Sequence, residues 1–269
     1  MKRIGFWVIF LVFSMTAVTG FSQEVKKGLI TGKLMIKDGG PMSDGKVFFF
    51  NAESGPPPSP ERYWRVPDQI VDMDSEGRFS VELPEGKYYL GAIKRASRKE
   101  IGPPRDGEMF FASRDESGKP KEYVIKKGEK MDIGVVSGAT PFKRPPITDK
   151  ISAIEGTVVF RDGKPAEGAL VFAYTSPTMV GKPIFVSERT GKDGRYELRV
   201  SGGGKFYLKV RDIYGGGPPV EGAIIGSYAE AAPIPVSVMT GETTRGIDIK
   251  VIRFEGRGPK GPAPGKKLK

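Results

Sequence analysis

The chain of 269 residues contains no histidine and no cysteine. Without histidine there is no Ser-His-Asp triad, no imidazole base and no histidine-ligated zinc. Without cysteine there is no thiol nucleophile, no disulfide, no thiolate metal site and no lipid attachment at a cysteine. Carboxylate, lysine, tyrosine or Ser/Lys chemistry remains, or no chemistry at all. The sequence also has little helix pattern: no convincing amphipathic helix follows residue 22. What it has in excess is turn formers, with 37 Gly and 23 Pro, more than a fifth of the chain. Aromatic and β-branched residues recur between them, so the composition reads as short strands joined by many turns rather than as disorder.

Residues 1–22 open with Lys2 and Arg3, continue as an apolar run from Ile4 to about Val18, and end in small or polar residues near Gly20 and Ser22. This is the three-part plan of a secretory signal peptide. The run is short for a membrane span of about 20 residues. The expectation is an exported protein of the periplasm, cell surface or extracellular space, with no stable membrane insertion after cleavage.

The rest of the sequence is one unit written twice. Gly32-Lys-Leu-Met-Ile-Lys-Asp38-Gly39-Gly-Pro41 matches Gly156-Thr-Val-Val-Phe-Arg-Asp162-Gly163-Lys-Pro165 at an offset of 124, and Val47-Phe48 falls on Val171-Phe172. Glu76-Gly77-Arg78-Phe79 matches Asp193-Gly194-Arg195-Tyr196, and Gly86-Lys87-Tyr88-Tyr89-Leu90 matches Gly204-Lys205-Phe206-Tyr207-Leu208. Gly102-Pro103-Pro104 answers to Gly217-Pro218-Pro219, and Gly128-Glu129 to Gly241-Glu242, by which point the offset has drifted to 113. Short β-rich runs alternate with Asp-Gly or Glu-Gly pairs, whose glycines are expected to supply the positive φ of tight hairpins. The predicted fold class is all-β: two tandem Greek-key prealbumin-like β-sandwiches over 27–137 and 152–252. A stiff Pro-rich linker is expected over 138–151, and a disordered basic tail over 255–269.

The run Gly156-x-Val158…Asp162-Gly163-Lys164-Pro165…Gly168-Ala169-x-Val171, with Asp193-Gly194-Arg195-Tyr196 and Gly204-Lys205-Phe206-Tyr207, resembles the carboxypeptidase regulatory-like domain. The resemblance implies a prealbumin-like (transthyretin-like) sandwich. In zinc carboxypeptidases that domain accompanies a separate catalytic domain, for which this chain has no counterpart. The hydroxyisourate hydrolases of the same fold use histidines, which this chain lacks. The resemblance therefore implies a non-enzymatic module for support or interaction, with no cofactor.

Candidate contacts concentrate in the insertion Gly55-Pro-Pro-Pro-Ser-Pro-Glu-Arg62-Tyr63-Trp64-Arg65. Arg62, Tyr63, Trp64 and Arg65 would suit a sugar face or another protein; the alternative is that Trp64 closes the end of the first sandwich core. Phe110 and Tyr228 stand in the stretches that carry the two Gly-Pro-Pro loops, which read as long inter-strand loops rather than phosphate cradles. The carboxylates Glu53, Glu61, Asp68, Asp72 and Asp74 cluster near the insertion, and a glycosidase would need two of them across a cleft. Asp72-x-Asp74-x-Glu76-Gly77 has the look of a calcium loop but lacks the distal Glu, so an acidic turn is expected and no metal. Much of the formal charge of +11 sits in the tail, where Arg257, Lys260, Lys266, Lys267 and Lys269 are candidate contacts to a polyanion. The expected partner is an envelope or extracellular protein. A glycan is the alternative, and nucleic acid is not expected.

Overall fold

The computed structural model describes residues 27–96, 102–146, 150–214, 217–230 and 232–256. The signal-like segment 1–22 and the tail residues Arg257, Lys260, Lys266, Lys267 and Lys269 lie outside the described residues. Nearly everything described is strand, turn or loop; the helical piece is one 3-10 turn at Ala52–Ser54.

The first half carries β1 (Lys27–Ile36), β2 (Lys46–Asn51), β3 (Trp64–Arg65), β4 (Gln69–Asp72), β5 (Arg78–Pro84), β6 (Gly86–Lys94), β7 (Met109–Ala112), β8 (Glu122–Ile125) and β9 (Lys130–Pro141). The second half carries β10 (Ser152–Phe160), β11 (Leu170–Tyr174), β12 (Phe185–Val186), β13 (Arg195–Val200), β14 (Gly204–Arg211), β15 (Ile224–Ser227), β16 (Val236–Val238), β17 (Thr243–Thr244) and β18 (Ile249–Arg253). Each half curls one sheet around its own core, giving two β-sandwiches.

One pairing scheme serves both. β1 lies between antiparallel β5 and parallel β9, as β10 lies between antiparallel β13 and parallel β17 and β18. β2 lies between β4 and β6, as β11 lies between β12 and β14. β6 then takes β7 and β8, as β14 takes β15 and β16. β7 closes onto β9 and β15 onto β18. The cores follow the same rule. Ile30, Leu34 and Val47 of the first stand where Ile154, Val158 and Val171 stand in the second, all with no measurable or 1% exposure. Strand alternation produces this directly: β13 reads exposed Arg195, buried Tyr196, half-buried Glu197, buried Leu198. Each such buried side chain contributes about 1.5–3 kcal/mol of transfer free energy.

The repeated turns dock onto these cores. Gly77 and Gly194 have φ of +73° and +74°. A Cβ on either would stand 2.5 Å from a backbone oxygen, that of Leu34 or Val158. The Gly77 and Gly194 carbonyls in turn accept from Leu34 and Val158 N–H at 2.9 and 2.8 Å. Glycine is thus required twice over, by conformation and by close approach. At Asp38-Gly39 the positive φ falls instead on the aspartate, at 57°, a residue type whose short polar side chain tolerates that region. The Asp72–Gly77 stretch is an ordinary turn, in which Asp74 Oδ1 accepts from Glu76 and Arg78 N–H at 2.9 and 2.8 Å. Both Gly-Pro-Pro stretches are inter-strand loops, between β6 and β7 and between β14 and β15.

The expected linker 138–151 opens on residues that are still strand. β9 runs on through Pro141, and Phe142 is buried at 6% exposure. Pro145 and Pro146 lie in no strand, as proline offers no N–H to a ladder.

Candidate functional site at the domain junction

Between β2 and β4 the first sandwich inserts the proline-rich segment, and β3 forms at its far end. β3 pairs not with the first sheet but with β12 of the second, Trp64 opposite Val186 and Arg65 opposite Phe185. It thereby becomes the outer strand of the second sheet. Val66 extends the contact, its N–H donating to Ile184 O at 2.8 Å. The polyproline stretch that precedes it cannot fold back as helix or central strand, so it carries the chain out to the neighbouring domain.

The side chains follow the strand. Tyr63, 7% exposed, enters the core of the second sandwich. Its ring lies edge-on to Phe185 at 5.3 Å, and its hydroxyl donates to Pro57 O at 2.7 Å. Burial pushes the Tyr63 hydroxyl pKa up from the ordinary tyrosine value. Val66 joins Leu170, Phe172, Tyr174 and Val186 on the other face of the second sheet. Trp64 is half-buried and packs against two rings of the first half, Phe110 at 6.3 Å and Phe142 at 5.7 Å. Its indole N–H points to Glu188 Oε1 at 3.5 Å, and Glu188 also receives Arg144 from the interdomain connection.

Arg65 is the buried charge of the junction, with no exposure of its side chain. Its guanidinium donates to Pro56 O at 2.6 Å, to Ser54 Oγ at 2.9 Å and to the Asn51 carbonyl, and it stands over the Phe50 ring at 5.7 Å. Asp68 lies 3.3 Å away and bridges on to Lys182 of the second domain at 2.6 Å. Burial lowers the pKa of both Arg65 and Lys182, and Asp68 opposes the shift in each.

Two spaces open beside β3. One is an apolar cavity of about 60 Å³ between the sheets, lined by Phe48 and Phe50 on one side, Val186 and Tyr214 on the other, with Trp64 and Phe110 at its wall. The other is an open charged groove of about 690 Å³ over β10 and β13, with Trp64 at its rim. Two of its arginines pair with its carboxylates, Arg199 with Glu197 at 2.7 Å and Arg245 with Glu155 at 3.0 Å, while Arg189 donates to the Gly168 and Asp212 carbonyls. The groove therefore holds alternating charge rather than a field of one sign.

The insertion residues singled out in the sequence come together here, but not as a platform. Tyr63 and Arg65 are buried, Trp64 is enclosed on its edge by Phe110 and Phe142, and Arg62 is exposed. Tyr63 and Trp64, as successive strand residues, point to opposite faces of the sheet, so they do not stack side by side on a sugar ring. Nor does Trp64 close the end of the first core: it packs between the domains, on residues of both. Tyr228 is half-buried against the second core. The carboxylates are dispersed onto structural partners, Glu61 on Arg114 at 3.1 Å, Asp72 on Lys46 and Asp68 on Lys182. Among the described residues no group of three or more acidic side chains is placed to hold a metal ion. Among the same residues no helix is long and apolar enough to cross a membrane. Phe142, Phe185, Lys182 and Glu188 complete the junction and escaped the sequence reading. Phe142, the lone aromatic within the expected linker, was the available signal.

The structure thus defines a two-sandwich all-β protein whose domains share a strand. No family model matches the chain. It is 31% identical over 98 residues to the MRG/MORF4L-binding protein of Mus musculus, a stretch that is 36% of this chain and 44% of that protein. The chain thus spans less than half the length of that relative. Solved structures superpose weakly. The Bacillus anthracis TIE protein gives a TM-score of 0.26 at 16% identity, over 84% of this chain and 34% of that one. The minor pilin GBS52 of Streptococcus agalactiae gives 0.26 at 13%, over 88% and 100%. A streptococcal ancillary pilin gives 0.24 at 12%, over 84% and 63%. Scores at this level establish no shared function.

Proposed function

We propose that the chain is a non-catalytic, exported β-sandwich module that serves adhesion, scaffolding or protein–protein interaction at the cell envelope. The observation that carries the reading is the junction. An insertion rich in proline and aromatics, the part of the sequence most suited to a binding loop, is consumed in pairing the first sandwich with the second. Tyr63 Oη and both terminal nitrogens of Arg65 are taken up by internal partners, and burial turns both side chains away from any substrate. Joining of this kind suits a spacer or presenting scaffold, whose task is to hold surfaces at a fixed separation. The signal-like segment 1–22 supports export, and the resemblance to carboxypeptidase regulatory-like domains supports a supporting rather than catalytic role. The partner under this reading is an envelope or extracellular protein.

The test is sedimentation of the labelled, signal-processed protein with envelope from its own source, half of it stripped with protease beforehand. Binding to intact envelope that is lost on stripping is the expected result. Binding that survives stripping would assign glycan or lipid as the target, and absence of binding to either would remove the envelope role.

A further inference from the structure

β3 is supplied by the first sandwich and completes the sheet of the second. Donor and acceptor are separate surfaces on separate domains. On the donor side, Arg65 ties the segment to Asn51, Ser54 and Pro56 of the first domain. On the acceptor side, β12 is paired by β11 on one edge and by β3 on the other. Beside it lies the slot that Tyr63 fills against Phe185. With β3 withdrawn, that edge and that slot are an open template for another strand.

Apart from the excursion of β3, the chain passes from the first sandwich to the second once, after Phe142 and before β10. Separating the domains therefore needs no unthreading. Nine residues span up to roughly 30–32 Å when extended, enough for the two sandwiches to move apart, the second giving up only Tyr63 and Val66 from its clusters. We propose that the β12 edge and Tyr63 slot of one copy accept the β3 segment of a second copy, so that the protein self-associates by exchanging this strand. The contacts made between copies are those the single chain already makes, so the exchange adds only the cost of association and of opening the connection. In dilute solution the tethered β3 wins through its high effective concentration. Crowded together, as molecules on a surface are, copies compete with the tether. Because donor and acceptor patches differ, a reciprocal exchange closes a two-fold dimer and a one-way exchange continues head to tail. The inference rests on the junction alone and stands or falls apart from envelope binding.

The full chain has no cysteine, so engineered thiols report without background. Trp64 and Val186 are opposed across the β3–β12 pair, a separation of about 4.5–5.5 Å between Cα atoms that a disulfide spans. Trp64→Cys and Val186→Cys are made separately, labelled with different mass tags, refolded together at high concentration and oxidised. The expected product is a disulfide-linked dimer holding one of each, several-fold above the dimer formed by either variant alone. A mixture that yields no such excess, while the double variant closes its disulfide within one chain, overturns the proposal. A second form keeps every contact residue native: deletion of Pro145 and Pro146 shortens the connection and strains the tethered arrangement. Sedimentation velocity should then show a several-fold higher dimer or polymer fraction than wild type. A shortened chain that stays folded and monomeric at every concentration also overturns it.

Discussion

Tyr63 holds the two sandwiches together through one ring and one hydroxyl, and the two contributions separate by substitution. Tyr63→Phe removes only the bond to Pro57 O, a loss of about 1 kcal/mol. Tyr63→Ala empties a slot in the second core beside Phe185 and Phe206, for which about 3–5 kcal/mol is expected. Chemical denaturation should rank the two in that order; equal losses would mean that the ring is not packed as described. Asp68 is the second decisive residue. Asp68→Ala leaves the Arg65 guanidinium buried without its counter-charge, an arrangement that costs about 3–5 kcal/mol. Lys182→Ala removes a partly exposed partner of the same carboxylate and should cost far less, about 1 kcal/mol or below. A Lys182 variant as damaged as the Asp68 variant would contradict this division of roles.

The tyrosines also set a pH limit. Burial raises the hydroxyl pKa of Tyr63, Tyr174 and Tyr196 above the ordinary value near 10. Folded-state pKa values above the unfolded ones leave stability intact below pH 10. Above it the unfolded chain releases protons that the folded chain retains, and stability falls by about 1.4 kcal/mol per pH unit for each such tyrosine. Lys182 and Arg65, whose pKa values burial lowers, act in the opposite sense, but they stand against these three tyrosines and against Tyr88, Tyr89 and Tyr214, which burial also raises. Urea midpoints measured at several pH values should be flat from pH 7 to 9 and drop beyond 10. A midpoint unchanged at pH 11 would refute the burial of these hydroxyls.

The strands were legible in the sequence because their physics is local. Alternation over Tyr196-Glu-Leu198-Arg-Val200, a glycine in each tight turn, and the recurrence of both at an offset that drifts from 124 to 113 specify two sandwiches without any long-range information. The repeat also predicts which glycines resist change. Gly77→Ala and Gly194→Ala place a Cβ 2.5 Å from a backbone oxygen at positive φ. Each should destabilise its own sandwich by more than about 1 kcal/mol. Gly163→Ala, at positive φ but with open space around it, bears only the conformational cost and should be milder. Were the three alike in thermal denaturation, the close approach of turn and strand would be in doubt.

β3 could not be read in this way. Its two residues have no periodicity, and its partner lies across a domain boundary more than a hundred positions away. The Tyr63-Trp64 pair stands out in the sequence as aromatics at the end of a proline-rich insertion. That does not say what they meet: a sugar, a protein or the chain itself. Only the pairing register with Phe185 and Val186 decides among these. Phe142 was lost for a related reason, since proline at 145 and 146 marks a stiff segment but not the residue where the strand before it ends.

At the level of the whole molecule, a shared strand changes how the domains unfold. Two sandwiches joined by a flexible linker melt independently, each with its own transition. Here the core of the second sandwich contains Tyr63 from the first, and the outer strand of its sheet is β3. Unfolding the first domain withdraws both, exposing the β12 edge and the Phe185 slot. The second domain alone must then be less stable by the free energy of that junction. If that coupling exceeds the difference between the domains' own stabilities, both unfold in one step. Calorimetry of the full chain should therefore give a single transition in which the calorimetric and van't Hoff enthalpies agree. Replacing Tyr63 and Trp64 together by alanine removes the coupling while leaving the first core, built on Ile30, Phe49 and Leu90, untouched. The variant should melt in two resolved steps, the lower one belonging to the second sandwich. Two steps already present in the wild type would mean that the junction is too weak to join the domains, and the scaffold reading would fail with it.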